Sequence, residues 1–123
     1  SSPFKFGRVG GGDGKSKRDY TYIEDIIDGV VSALNKNFSY EIINLGNNKP
    51  VELNYFIALI EKLVGKKAVI QQLSKQPGDV DITYADISKA KRLLGYVPKI
   101  SIEVGMEKFT RWYLNYLLKN KKI

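Results

Sequence analysis

The chain has 123 residues, 43% hydrophobic and 27% charged, which bounds it to one domain able to bury an apolar core. Cysteine and histidine are both absent, which excludes a disulfide framework, thiol chemistry, a Ser–His pair, and the commonest general base and metal ligand. The net charge of +7 gathers at the ends, in Lys5, Arg8, Lys15, Lys17 and Arg18 and in Lys119, Lys121 and Lys122, and no apolar run reaches membrane-spanning length.

Residues 1–17 are glycine-rich and basic and read as a loop or arm ahead of a domain over 18–123. The run Val9-Gly10-Gly11-Gly12-Asp13-Gly14-Lys15-Ser16 ends like a phosphate-binding P-loop. It has Val9 where the first glycine is required, and no apolar helix follows at once. Thr21 and Glu24 form a T-x-x-E capping box for a first helix over 22–35. Ile23, Ile26, Ile27, Val30, Val31 and Leu34 give that helix one apolar face.

A short strand is expected over 40–44, then a turn through Gly46 to Pro50. Leu53, Phe56, Ile57, Ile60, Leu63 and Val64 mark a second helix closed by Gly65. Residues 68–72 read as another short strand, and Pro77-Gly78 as a turn. Asp86 caps a third, short helix that stops at Gly95. Ser101 caps the last helix, whose face of Ile102, Met106, Phe109, Tyr113 and Leu117 is spaced as a buried one. The expected fold class is helix-rich α/β, about four helices with little sheet.

Arg18 stands just outside the first helix, and a guanidinium fork there suits a phosphate through two parallel charge-assisted bonds. It also suits plain solvent exposure. Asp79 follows the Pro77-Gly78 turn, where an ionised carboxylate can accept from ligand hydroxyls or cap the turn itself.

The stretch from Arg18 to Asp25 resembles the R-D-[YF]-x-[YH]-[VI]-x-D motif of the extended short-chain dehydrogenase/reductase family, which includes NAD-dependent nucleotide-sugar epimerases and dehydratases. Tyr40 to Gly46 resembles the family strand ending in N-[LIV]-G. Gln76 to Val80 with Tyr84 to Ala90 resembles its [RQ]-x-G-D…A-D-x-S-K-A segment, and Leu94 to Lys99 its L-G-[YFW]-x-P turn. The pattern is most similar to the UDP-glucuronate and UDP-glucose 4-epimerases.

Complete members carry an N-terminal Rossmann domain with a Gly-rich NAD loop and a catalytic Y-x-x-x-K. Neither G-x-G-x-x-G nor Y-x-x-x-K occurs here. The resemblance therefore implies the small C-terminal lobe of such an enzyme, with the Rossmann domain absent. That lobe grips a UDP-sugar and is inactive alone. NAD and the catalytic groups belong to the full-length parent, a cytoplasmic homodimer. It also implies roles by motif match: Arg18 for the diphosphate and Asp79 for the ribose, with Gln76 and Val51 beside the nucleotide.

Gln76 stands where many relatives have a second arginine, so it can bond but brings no charge. Val51 is equally consistent with core packing. Phe6 runs almost straight into Gly7, where the family has a longer segment. Other readings are the lobe of a 4,6-dehydratase or reductase, or a basic module binding nucleic acid or polyphosphate. The latter lacks any zinc-finger, RRM-like or helix-turn-helix signature.

Overall fold

The computed structural model describes residues 9, 10 and 12–120, with side-chain environments from residue 12 onward. Expectations that fall on Lys5, Phe6, Gly7, Arg8, Gly11, Lys121 and Lys122 lie outside the described residues.

The elements run β1 (Val9–Gly10), β2 (Lys17–Asp19), α1 (Ile23–Leu34), β3 (Pro50–Glu52), α2 (Leu53–Val64), β4 (Gln72–Leu73), α3 (Ser88–Leu94) and α4 (Ile102–Asn120). Two small two-stranded sheets join them: β1 lies parallel to β4, and β2 antiparallel to β3. The helix-rich α/β class expected from the sequence is the class found.

The helix ends that depend on glycine form as expected. Gly65 and Gly95 adopt left-handed φ values of 69° and 67°, a conformation without steric cost only for a residue lacking Cβ. Ser101 Oγ accepts the Val104 N–H at 3.3 Å, capping α4. Gln76-Pro77-Gly78-Asp79 closes a turn, with the Asp79 N–H donating to the Gln76 carbonyl at 3.1 Å and Gly78 at φ 90°.

Other local expectations fail, and each has a tertiary cause. Thr21 does not cap α1; Tyr22 is the N-cap and makes no side-chain cap bond. Glu24 turns away from its own helix end and pairs with Lys108 of α4 at 2.7 Å. Asp86 caps from one residue further out than expected, its carboxylate accepting the Ser88 N–H at 2.9 Å while Ile87 holds the N-cap position. The strand expected over 40–44 does not form, since no described strand lies beside it. The strand expected over 68–72 shrinks to β4, because only Gln72 and Leu73 find a partner, in β1.

The core lies where α1, α3 and the loop between α1 and β3 meet. Ala90 and Tyr96 are buried there, and the Tyr96 hydroxyl donates to the Gly46 carbonyl at 2.8 Å. Gly29 of α1 allows close approach, since a Cβ there would meet Leu45 Cδ2 at 2.7 Å. Asp25, only 3% exposed, accepts the Lys99 and Ile100 N–H groups at 2.9 Å each and ties α1 to the entry of α4.

The apolar face of α1 is otherwise bare: Ile23, Ile27, Val30, Val31 and Leu34 are exposed, Leu34 to 78%. The aromatics of α4 also depart from the buried face expected of them. Phe109 is 48% exposed and stacks along the helix on Tyr113 at 6.1 Å. The α1 face has no cover among the described residues, whereas α4 packs against α2 and half-buries Ile102, Met106 and Leu117.

Candidate functional site

Strand register sets the site. Arg18 of β2 pairs with Val51 of β3, and Lys17 with Glu52. On the other side of β2, the Lys17 N–H donates to the Asp81 carbonyl at 2.8 Å, and the Thr83 N–H to the Lys17 carbonyl at 3.1 Å. β2 is thus held between β3 and the segment that follows the Pro77-Gly78 turn. The Gly12–Lys15 turn folds back beside it, with the Asn54 N–H donating to the Gly14 carbonyl and the Leu53 N–H to the Ser16 carbonyl, each at 3.0 Å. A side chain at Gly14 would collide with Asn54, since its Cβ would lie 2.0 Å from Oδ1.

These contacts enclose a cleft of about 340 Å³. Arg18 and Asp79, far apart in sequence, both line it. Val51 is half-buried behind Arg18 in the β2–β3 ladder and is not among the described residues that line the cleft. Gln76 opens the turn that carries Asp79, is exposed, and likewise does not line the cleft. Lys15, Lys75 and Asp81 do line it, and motif reasoning missed all three. The basic cluster near the N-terminus pointed toward Lys15. No sequence signal placed Lys75 opposite Arg18.

The charges are arranged unevenly. Lys75 is ion-paired with Asp81, and Lys15 lies 3.9 Å from Asp13. Among the described residues Arg18 makes no ion pair; one guanidinium nitrogen donates to the Lys17 carbonyl at 2.8 Å, which leaves most of its five donors unused. The Lys75 ammonium holds the Asp81 carboxyl below its ordinary range, with Arg18 contributing less.

A second hollow, about 290 Å³, lies between Tyr20, Phe56 and the start of α4. Tyr20 and Phe56 stack there at 4.2 Å, and burial pushes the Tyr20 phenol up. Its lining has no charged side chain, so it cannot neutralise an anion.

Asp19 joins the parts of the cleft. Its carboxylate accepts the Asn47 N–H at 3.2 Å, the Asn48 N–H at 2.9 Å and the Ala85 N–H at 3.0 Å. One side chain therefore fixes β2, the turn leading to β3, and the segment after Asp79.

The family model described as GDP-mannose 4,6 dehydratase matches residues 7–109. The chain belongs to this family. It corresponds to the C-terminal part of an extended short-chain dehydrogenase/reductase epimerase. It is 55% identical over 82% of its length to an uncharacterized protein of Methanocaldococcus jannaschii, covering 31% of that protein. It is 49% identical, over the same shares of each chain, to the UDP-glucuronate 4-epimerase of Thermodesulfobacterium geofontis.

The UDP-glucuronic acid 4-epimerase of Bacillus cereus, solved in complex with UDP-glucuronic acid and NAD, superposes with a TM-score of 0.77 at 38% identity. That match covers 85% of this chain and 34% of the epimerase. The chain spans about a third of the length of the relatives it matches.

The described residues do not fit the NAD of that complex. A dinucleotide seat needs a glycine turn leading from a parallel strand into a helix. The glycine turn here leads into β2, in an antiparallel pair. No helix among the described residues is long and apolar enough to cross a membrane.

Proposed function

We propose that this chain is the UDP-sugar-binding lobe of an NAD-dependent nucleotide-sugar 4-epimerase. The observation that carries the reading is that Arg18 and Asp79 open into one cleft, with the guanidinium making no ion pair among the described residues. A UDP-sugar presents a diphosphate and a ribose diol. Arg18 grips the diphosphate through its parallel N–H donors, and Asp79 accepts from the ribose hydroxyls. Gln76 and Val51 support the site from the turn and the sheet.

The lobe contributes substrate grip. Binding energy from the nucleotide orients a sugar whose reacting carbon is handled by a Rossmann domain of the same enzyme. The bare face of α1 supports the presence of such a domain, since it lacks cover among the described residues. By the same reading the parent enzyme binds NAD, is cytoplasmic and homodimeric, and this lobe alone is inactive. UDP-glucuronate is the sugar nucleotide named for the relatives and is the first substrate to test. A 4,6-dehydratase is the second reading, favoured by the description of the matched family model.

The test is a titration of the isotope-labelled chain with UDP, read by NMR, with Arg18→Ala run beside it. The reading requires shifts clustered at Arg18 and Asp79 that the variant loses. Unchanged binding by Arg18→Ala refutes it.

A further inference from the structure

A diphosphate brings more negative charge than one guanidinium neutralises, and Gln76 adds none. The cleft has two other cations. Lys15 stands on the rim, its side chain 75% exposed. Lys75 sits deeper, 49% exposed, with its Cβ within 3.9 Å of where a Gly12 Cβ would lie. The glycine turn thus packs against the base of the Lys75 side chain.

The Lys75 ammonium is paired with Asp81, whose backbone is pinned to β2 next to Arg18. The described lining carries three cations (Lys15, Arg18, Lys75) and three carboxylates (Asp13, Asp79, Asp81), so its charges balance. A polyanion that engages Lys75 must displace Asp81 from it.

We infer that Lys75 is the second diphosphate-binding cation of this cleft, and that Asp81 holds it in an ion pair that exchanges for the diphosphate when ligand binds. This rests on the UDP-sugar reading above. The exchange is favourable because a diphosphate oxygen replaces a carboxylate whose side chain is 86% exposed and rehydrates freely on release. Asp81 therefore lowers affinity for anions, while Lys75 raises affinity only for ligands with a diphosphate. The two residues of one ion pair have opposite effects on binding, which a purely structural bridge would not produce.

The experiment titrates UDP and uridine into the labelled wild-type chain, Lys75→Gln, Asp81→Asn and Arg18→Ala, all read by NMR. Lys75→Gln is expected to weaken UDP about tenfold and leave uridine unchanged. Asp81→Asn is expected to tighten UDP severalfold, and added salt to shrink both differences. Both side chains are solvent-accessible and every variant's spectrum reports its fold. If Arg18→Ala weakens UDP while Lys75→Gln does not, the inference is overturned and the UDP-sugar reading stands. Weaker UDP binding by Asp81→Asn overturns the exchange. No UDP binding by the wild-type chain overturns both.

Discussion

Asp19→Ala removes the acceptor that ties three segments together. Of the three N–H groups it serves, that of Asn48 is on an exposed residue and turns to water. Asn47 is buried and Ala85 half-buried, so their N–H groups lose a charged acceptor with poor access to solvent. A buried donor left unpaired costs about 1–3 kcal/mol, so two such donors give a loss of about 2–6 kcal/mol.

For a chain of this size the total stability is roughly 6–18 kcal/mol, so the change is a large share. With a urea m-value of about 2 kcal/mol/M, the unfolding midpoint falls by about 1–3 M with m unchanged. Asp19→Asn can set its one oxygen at the Oδ2 position, which faces all three N–H groups, but it turns an NH2 group toward the Asn47 N–H and loses the charge, so it recovers only part of the loss. A midpoint within about 0.3 M of wild type for the alanine variant, or a wild-type midpoint for the asparagine variant, refutes the assignment of Asp19 as the clasp.

Gly46→Ala places a Cβ 2.5 Å from Ala85 Cβ and 2.8 Å from Asp19 Oδ2, where only backbone movement relieves the clash. It is expected to cost about 1–3 kcal/mol and lower the melting temperature by several degrees in a thermal scan. Tyr96→Phe loses the buried bond to the Gly46 carbonyl and about 0.5–1.5 kcal/mol, measured by urea unfolding. Burial, and then the nearby Asp25 and Asp19 carboxylates, raise the Tyr96 phenol above its ordinary value. A raised phenol contributes stability in full below the unfolded-state value of about 10 and loses it as pH climbs through the folded-state value. An absorbance titration at alkaline pH should therefore show one fewer late-ionising tyrosine in Tyr96→Phe.

The sequence by itself determined the features whose physics is local. The left-handed glycines Gly65 and Gly95, the Pro77-Gly78 turn, the Ser101 cap and the apolar stripes of α1 and α2 all follow from steric or periodic rules within a few residues. Arg18 and Asp79 were legible through motif spacing, and they do line one cleft.

Tertiary structure decided what depends on partners distant in the chain. Thr21 and Glu24 satisfy the local capping rule, yet Glu24 finds a lysine 84 residues away. The apolar stripe of α1 fixes a helix but not its cover, because burial needs a second surface and periodicity names none. Strand formation over 40–44 fails for the same reason, since a strand is completed only by the backbone beside it. Arg18 comes to share a cleft with the Lys75–Asp81 pair only once β2 lies between β3 and the segment after the turn, because electrostatic neighbours are set by distance in space rather than along the chain.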